Sequence, residues 1–196
     1  MTPAEFLTKE RLAEFKSEFF AGETFAMAGA NRRHSLICSN LVSVLRPRLR
    51  PFGCEIHGSD MKVKVSPTGL YTYPDASIAY GDVRFEDEHE DVLLNPCVIF
   101  EVLSKSTERR DRGWKFQQYR KIPSLTEYIL IAQHRPVVER FVRPPGGKFA
   151  LDEVDGLDGV ITLSIAPVQF SLAEIYLDIL SGDITDLPPD LADEVQ

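Results

Sequence analysis

The sequence predicts a mixed α/β (α+β) fold, a sheet flanked by helices, and three observations carry that prediction. From Asn31 onward, Leu36, Ile37, Leu41, Val44, Leu45 and Leu49 recur at three- and four-residue steps, the period of a helix with one apolar face. Between Cys54 and Tyr80, short β-branched and aromatic stretches alternate with Gly/Pro/Asp punctuation, as strands and turns do. Pro96-Cys97-Val98-Ile99-Phe100-Glu101-Val102-Leu103 is a nearly continuous apolar run, the pattern of a central strand covered on both faces.

The remaining elements follow in order. Thr2-Pro3-Ala4-Glu5 combines an N-cap threonine, a proline at the first helical position and a glutamate three residues after the cap, predicting a short helix to about Phe15. Phe19, Phe20, Phe25 and Met27 around Ala21-Gly22 predict a hairpin. The helix from Asn31 is expected to bend or end at Pro47, which lacks the N–H that continues the ladder. Three strands are expected over Cys54 to His57, Met61 to Val65 and Tyr73 to Tyr80. After the central run, Ser104 to Thr107 supplies a turn and cap for a helix over Glu108 to Lys121, stopped by Ile122-Pro123. Strands over Glu127 to Ala132, Pro136 to Val142 and Lys148 to Val154 complete the sheet, and Ser171 opens a last helix ending near Leu180. The length suits one domain over residues 1–180, with an acidic tail over 181–196 marked by Pro188-Pro189.

Composition narrows the function classes. With 43% apolar and 27% charged residues and no apolar run of membrane-spanning length, the chain reads as an ordinary globular protein with no membrane partner. The N-terminus lacks a signal-like pattern, so a cytoplasmic location is the expectation. Cys38, Cys54 and Cys97 are widely spaced, which suggests neither disulfides nor a zinc ribbon, and they read as small buried fillers. A net charge of -8 opposes non-specific coating of nucleic acid. Its distribution is uneven, however. Lys105, Arg109, Arg110, Arg112, Lys115, Arg120 and Lys121 face only Glu108 and Asp111 within their segment, a local excess of five positive charges.

Chemistry concentrates in two acids. Glu101 is the single charge in its apolar strand, and burying a carboxylate costs several kcal/mol unless it is ion-paired, hydrogen-bonded or metal-bound. Asp75 follows Tyr73-Pro74 at a strand start, where a plain turn residue is the simpler reading. Together, an acid opening one strand and an acid inside a later central strand can face one point. Two hard oxygen ligands completed by water and phosphate are the usual way of holding Mg²⁺.

The Tyr73-Pro74-Asp75 turn, Glu101-Val102-Leu103-Ser104-Lys105-Ser106-Thr107, and Asp111, Lys115 and Tyr119 at four-residue spacing resemble the Uma-type endonuclease family of the PD-(D/E)XK nuclease superfamily. Gly22-Glu23, Arg33-His34 and Glu127-Tyr128-Ile129-Leu130-Ile131 fit the same pattern, so the resemblance runs from about Thr2 to Val142. It implies a restriction-endonuclease-like mixed sheet, Asp75 and Glu101 as ligands of Mg²⁺ or Mn²⁺, and hydrolysis of DNA. The superfamily's lysine belongs two residues after the glutamate, where this chain has Leu103. Lys115 matches the family's helix position. Lys105 shares strand parity with Glu101 but lies four residues along, at ~3.3 Å each. Glu23 is an accessory ligand by resemblance, or else a solvated hairpin acid. His34 is an accessory site residue or an ordinary helix-start histidine, and His57, His89 and His134 have no ligand-like spacing. Arg109, Arg110 and Arg112 are candidate phosphate contacts, or a solvated helix face.

Two rival classes stand beside a DNA-cutting enzyme, for which a homodimer is the usual arrangement. One is a nucleic-acid-binding or interaction module that keeps the fold without turnover, favoured by the negative charge and the missing strand lysine. The other gives Glu101 a structural ion pair and no metal.

Overall fold

The computed structural model describes residues 1–27 and 29–179; the acidic tail expected over 181–196 lies outside them. Helix α1 (Pro3–Glu10) starts with the expected reciprocal cap, Glu5 N–H donating to Thr2 Oγ1 and Thr2 N–H to the Glu5 carboxylate. It ends five residues earlier than the sequence pattern suggests, because Arg11 turns away to pair with Asp87 and Asp91. Strands β1 (Ser17–Phe20) and β2 (Glu23–Ala26) form the hairpin. Its two-residue turn has Ala21 and Gly22 both at positive φ, the geometry whose twist matches paired strands.

Helix α2 (Arg32–Leu49) passes through Pro47 without ending. Leu45 and Leu49 flank the proline and are fully buried, so packing holds the helix past the lost hydrogen bond. Strands β3 (Cys54–Gly58), β4 (Lys62–Val65), β5 (Leu70–Thr72) and β6 (Ala76–Tyr80) follow. The stretch from Tyr73 to Tyr80 is therefore a break and then a strand. After a short β7 (Val92–Leu93) in the acidic loop comes β8 (Val98–Leu103), whose six residues are all buried. A helical crossover then runs through α3 (Glu108–Arg110), a π-helical turn over Asp111–Lys115 and α4 (Phe116–Tyr119). Strands β9 (Glu127–Ala132), β10 (Val137–Val142) and β11 (Ala150–Asp155) continue the sheet, and a small hairpin of β12 (Val160–Thr162) and β13 (Gln169–Ser171), unread from the sequence, leads into α5 (Leu172–Ile175).

The strands form two main sheets rather than one. The central sheet has the order β11-β10-β9-β8-β6-β3, antiparallel except for the parallel β8–β9 pair that the helical crossover makes necessary. A second sheet has the order β2-β1-β5-β4-β7. The chain leaves this sheet at Thr72 and enters the central one at Ala76, and Tyr73-Pro74-Asp75 is the step between them. Proline cannot donate to a ladder, so strand pairing breaks there. Asp75 is thereby placed at the seam of the two sheets.

Alternation along β8 sorts the core. Val98, Phe100 and Val102 face Ile37, Leu41 and Leu45 of α2 and Leu172 and Ile175 of α5. Ile99 and Leu103 face Tyr119 of α4 and Val63, Val65 and Leu70 of the second sheet. Glu101 has the parity of the second set and points toward the helical crossover. No described helix is long and apolar enough to cross a membrane.

Candidate active site

Asp75 and Glu101 adjoin the end of one ladder. Strands β6 and β8 pair antiparallel with Ala76 opposite Phe100 and Ser77 opposite Ile99, and Asp75 and Glu101 are the residues next to the last pair. Asp75 Oδ2 accepts the Val102 N–H at 2.7 Å, which fixes the carboxylate against β8, and lies 3.2 Å from His34 Nε2.

Around Glu101 the site is built from three other elements. Lys115 Nζ lies 3.0 Å from Glu101 Oε1, and Tyr119 O–H donates to the same oxygen at 2.8 Å. The same ammonium is 3.3 Å from Asp111 Oδ1 and 3.7 Å from Glu18 Oε1. Glu18 comes from β1 in the second sheet, where Thr72 O–H donates to it and the Arg110 guanidinium pairs with its other oxygen. Glu18, Glu101, Asp111 and Lys115 are all buried.

The crossover's mixed helical type explains how Asp111, Lys115 and Tyr119 reach one place. In an α-helix a step of four residues overshoots a full turn by about 40°, so a four-spaced row drifts around the axis. A π turn is wider and corrects in the opposite sense. The π segment over Asp111–Lys115 followed by α-helix keeps all three side chains directed inward.

Electrostatics follow from this crowding. Burial pushes the Glu101 carboxyl up to about 8; the Lys115 ammonium opposes that shift, while Asp111 and Asp75 add to it. Burial alone would make Lys115 a weaker base, but Glu101, Asp111 and Glu18 outweigh it and hold the ammonium above its ordinary range. Three carboxyl groups thus converge on one ammonium, which they keep charged. Asp111 Oδ1 is buried, and its partner is the Lys115 ammonium at 3.3 Å. Acid in excess of cation around Glu101 is the kind of oxygen donor set that suits a hard divalent cation, and Asp75 and Glu101 are the residues that could hold one.

The other candidates lie as follows. His34 sits at the start of α2 against Asp75. Glu23 is exposed on β2, the edge strand of the second sheet. Lys105 is exposed in the turn after β8. Arg109 is exposed, whereas Arg110 pairs with Glu18 and stacks 4.8 Å above Trp114, and Arg112 pairs with Glu108 and Glu139. Glu18 was missed by sequence reasoning. The signal was a charge beside two aromatic residues in a strand, Glu18 before Phe19-Phe20, but four residues of hairpin are too short to make it stand out.

Comparison with known proteins concerns the chain as a whole. The Uma2 family profile, described as "Putative restriction endonuclease", matches residues 3–175. Two uncharacterized proteins of Synechocystis sp. are 34% and 32% identical over 168 and 176 residues, covering 86% and 90% of this chain and 95% and 91% of their own lengths. A crystal structure of a "putative nuclease belonging to DUF820" from Anabaena variabilis superposes with a TM-score of 0.73 at 20% identity, covering 90% of this chain and 97% of that one. At that identity the likeness concerns the fold.

Proposed function

Because the chain belongs to the Uma2 family, we propose that it is an endonuclease that hydrolyses DNA phosphodiester bonds with Mg²⁺ or Mn²⁺ held by Asp75 and Glu101. The observation that supports this reading is that Asp75 and Glu101 adjoin the last pair of the β6–β8 ladder, with the buried Lys115 ammonium 3.0 Å from Glu101. A divalent ion bound there supplies polarisation of the phosphodiester and an activated water. The chain's own residues supply the rest. Lys115 offers a fixed positive charge for the charge developing on the scissile phosphate, replacing the lysine that Leu103 displaces from the strand. Asp111 and Glu18 hold that ammonium in place, Tyr119 orients Glu101, and the Val102 amide with His34 orients Asp75.

Arg109, exposed on the same crossover, is the proposed phosphate contact. Arg110 and Arg112 reach DNA by exchanging Glu18, Glu108 and Glu139 for phosphate. Cutting both strands of a duplex calls for two centres, so a homodimer belongs to the proposal, as does a cytoplasmic location with access to DNA.

One observation favours a second reading. Lys115 and Tyr119 already satisfy Glu101 Oε1, as a structural core acid requires. Cleavage of plasmid DNA separates the two. The nuclease reading expects nicking or cutting with Mg²⁺, none with a chelator, and a loss of at least about a hundredfold in Lys115→Met, in line with removing one electrostatic stabiliser. Lys105→Met should cut normally. If Lys105→Met loses activity and Lys115→Met does not, the lysine assignment is wrong.

A further inference from the structure

Beside the acid pair, three side chains of different ligand chemistry converge. His34 and Cys38 are four residues apart on α2 and therefore share a face. Cys38 Sγ lies 3.6 Å from His34 Nδ1, and His34 Nε2 lies 3.2 Å from Asp75 Oδ2. One ligand atom from each of His34, Cys38 and Asp75 falls within 4.8 Å of the other two. Cys38 is a free thiol, and unlike Cys54 and Cys97 it is not buried in the core.

The spacing suits a small tetrahedral ion. With Zn–S about 2.3 Å, Zn–N about 2.0–2.1 Å and Zn–O about 2.0–2.2 Å, tetrahedral angles set ligand separations at about 3.3–3.6 Å. The Cys38–His34 contact of 3.6 Å falls in that range and the His34–Asp75 contact of 3.2 Å lies just below it, each made by a different ring nitrogen. One ring nitrogen binds at a time, so the third donor must close in, and the 4.8 Å limit keeps that movement near 1 Å. His34 and Asp75 side chains are 17% and 15% exposed, so an ion can enter while most bulk water stays out. Thiolate and imidazole also discriminate: they favour zinc-like ions over magnesium, which takes hard oxygen.

We propose that His34, Cys38 and Asp75 form a second metal site, selective for a borderline-soft divalent ion such as Zn²⁺, with a fourth position open to water. On binding, the Cys38 S–H bond breaks, its proton passes to solvent and the sulfur electron pair forms the S–metal bond. Asp75 is common to both sites, so an ion held here withdraws one carboxylate from the hard-cation pair and suppresses cleavage. That consequence rests on the nuclease reading; the binding does not.

Co²⁺ titration of the full chain without DNA tests the site, since cobalt reports thiolate ligation by a charge-transfer absorption. The wild type should take up one Co²⁺ with that absorption, and Zn²⁺ should displace it. Cys38→Ser, nearly the same size, should lose the absorption and weaken Zn²⁺ binding at least about tenfold, and His34→Gln should weaken it similarly. Glu101→Gln should keep the absorption, and Cys38→Ser should keep Mg²⁺-dependent cleavage, which separates failure of this site from failure of the nuclease reading. No thiolate absorption in the wild type, or its survival in Cys38→Ser, overturns the proposal; so does unchanged Zn²⁺ affinity in His34→Gln.

Discussion

At the scale of single residues, the balance around Lys115 decides what the cluster can do. One buried ammonium faces Glu101, Asp111 and Glu18, so removing it leaves acids without compensation in a low-dielectric interior. Breaking a buried pair costs about 3–5 kcal/mol. Lys115→Met is therefore expected to lose stability of that order in denaturant unfolding. Adding Glu101→Gln should recover part of it, giving a coupling well above the additivity error of about 0.5 kcal/mol. Strict additivity would mean that the two charges do not depend on each other. The sequence made part of this legible. Glu101 stood out as a charge in an apolar strand, Asp75 as an acid after Pro74, and Asp111, Lys115 and Tyr119 as a four-residue row. The links from Glu18 to Lys115 and from His34 to Asp75 were not legible, because each joins residues of separate elements and leaves no periodic trace.

At the scale of elements, capping chemistry was the readable part. Thr2 with Glu5 opens α1, and Ser171 with Glu174 opens α5 in the same way. Glu174 does more than cap: the Arg48 guanidinium of α2 pairs with it and, with the cap donors, holds its carboxyl down at about 2, against an ordinary value of 4.5. A depressed carboxylate contributes stability that is fully present above the ordinary value and is lost as pH falls from about 4.5 to about 2. Melting temperatures of wild type and Glu174→Gln should therefore differ at neutral pH and converge near pH 2. A constant gap over that range would show that Arg48 adds nothing to the cap. Pro47 shows the limit of local rules, since its missing N–H predicted a bend or an end, and of the two the end does not occur, the buried Leu45 and Leu49 carrying α2 past it. The π turn over Asp111–Lys115 had no sequence signal, because a four-residue repeat does not state which helix type it occupies.

At the scale of the whole molecule, the mixed α/β class followed from periodicity and apolar runs, but the division into two sheets did not. Short strands such as Leu70–Thr72 and Val92–Leu93 do not reveal which neighbour they pair with. Yet that division brings Glu18 of the second sheet to Lys115 of the crossover and leaves Asp75 at the step between the sheets. Charge is also a whole-molecule property. A chain of net charge -8 binds DNA through a local positive surface or not at all. Part of the local excess read from the sequence is neutralised in the fold, Arg110 by Glu18, Arg112 by Glu108 and Glu139, and Lys115 by Glu101 and Asp111, while Arg109 is exposed along with Lys105, Arg120 and Lys121. Arg109→Ala should therefore lower the salt slope of duplex binding by roughly 0.9, one phosphate contact. An unchanged slope would make Arg109 a solvated surface residue.

We propose that Asp75 and Glu101, which adjoin the last pair of β6 and β8, share one divalent cation. Calorimetric titration with Mn²⁺ addresses it without requiring turnover. The wild type should bind one Mn²⁺, Asp75→Ala and Glu101→Ala should each lose at least about tenfold in affinity, and Cys38→Ser should bind as the wild type does. Equal Mn²⁺ affinity in wild type and Glu101→Ala would contradict the account and leave Glu101 as an ion-paired core acid held by Lys115 and Tyr119.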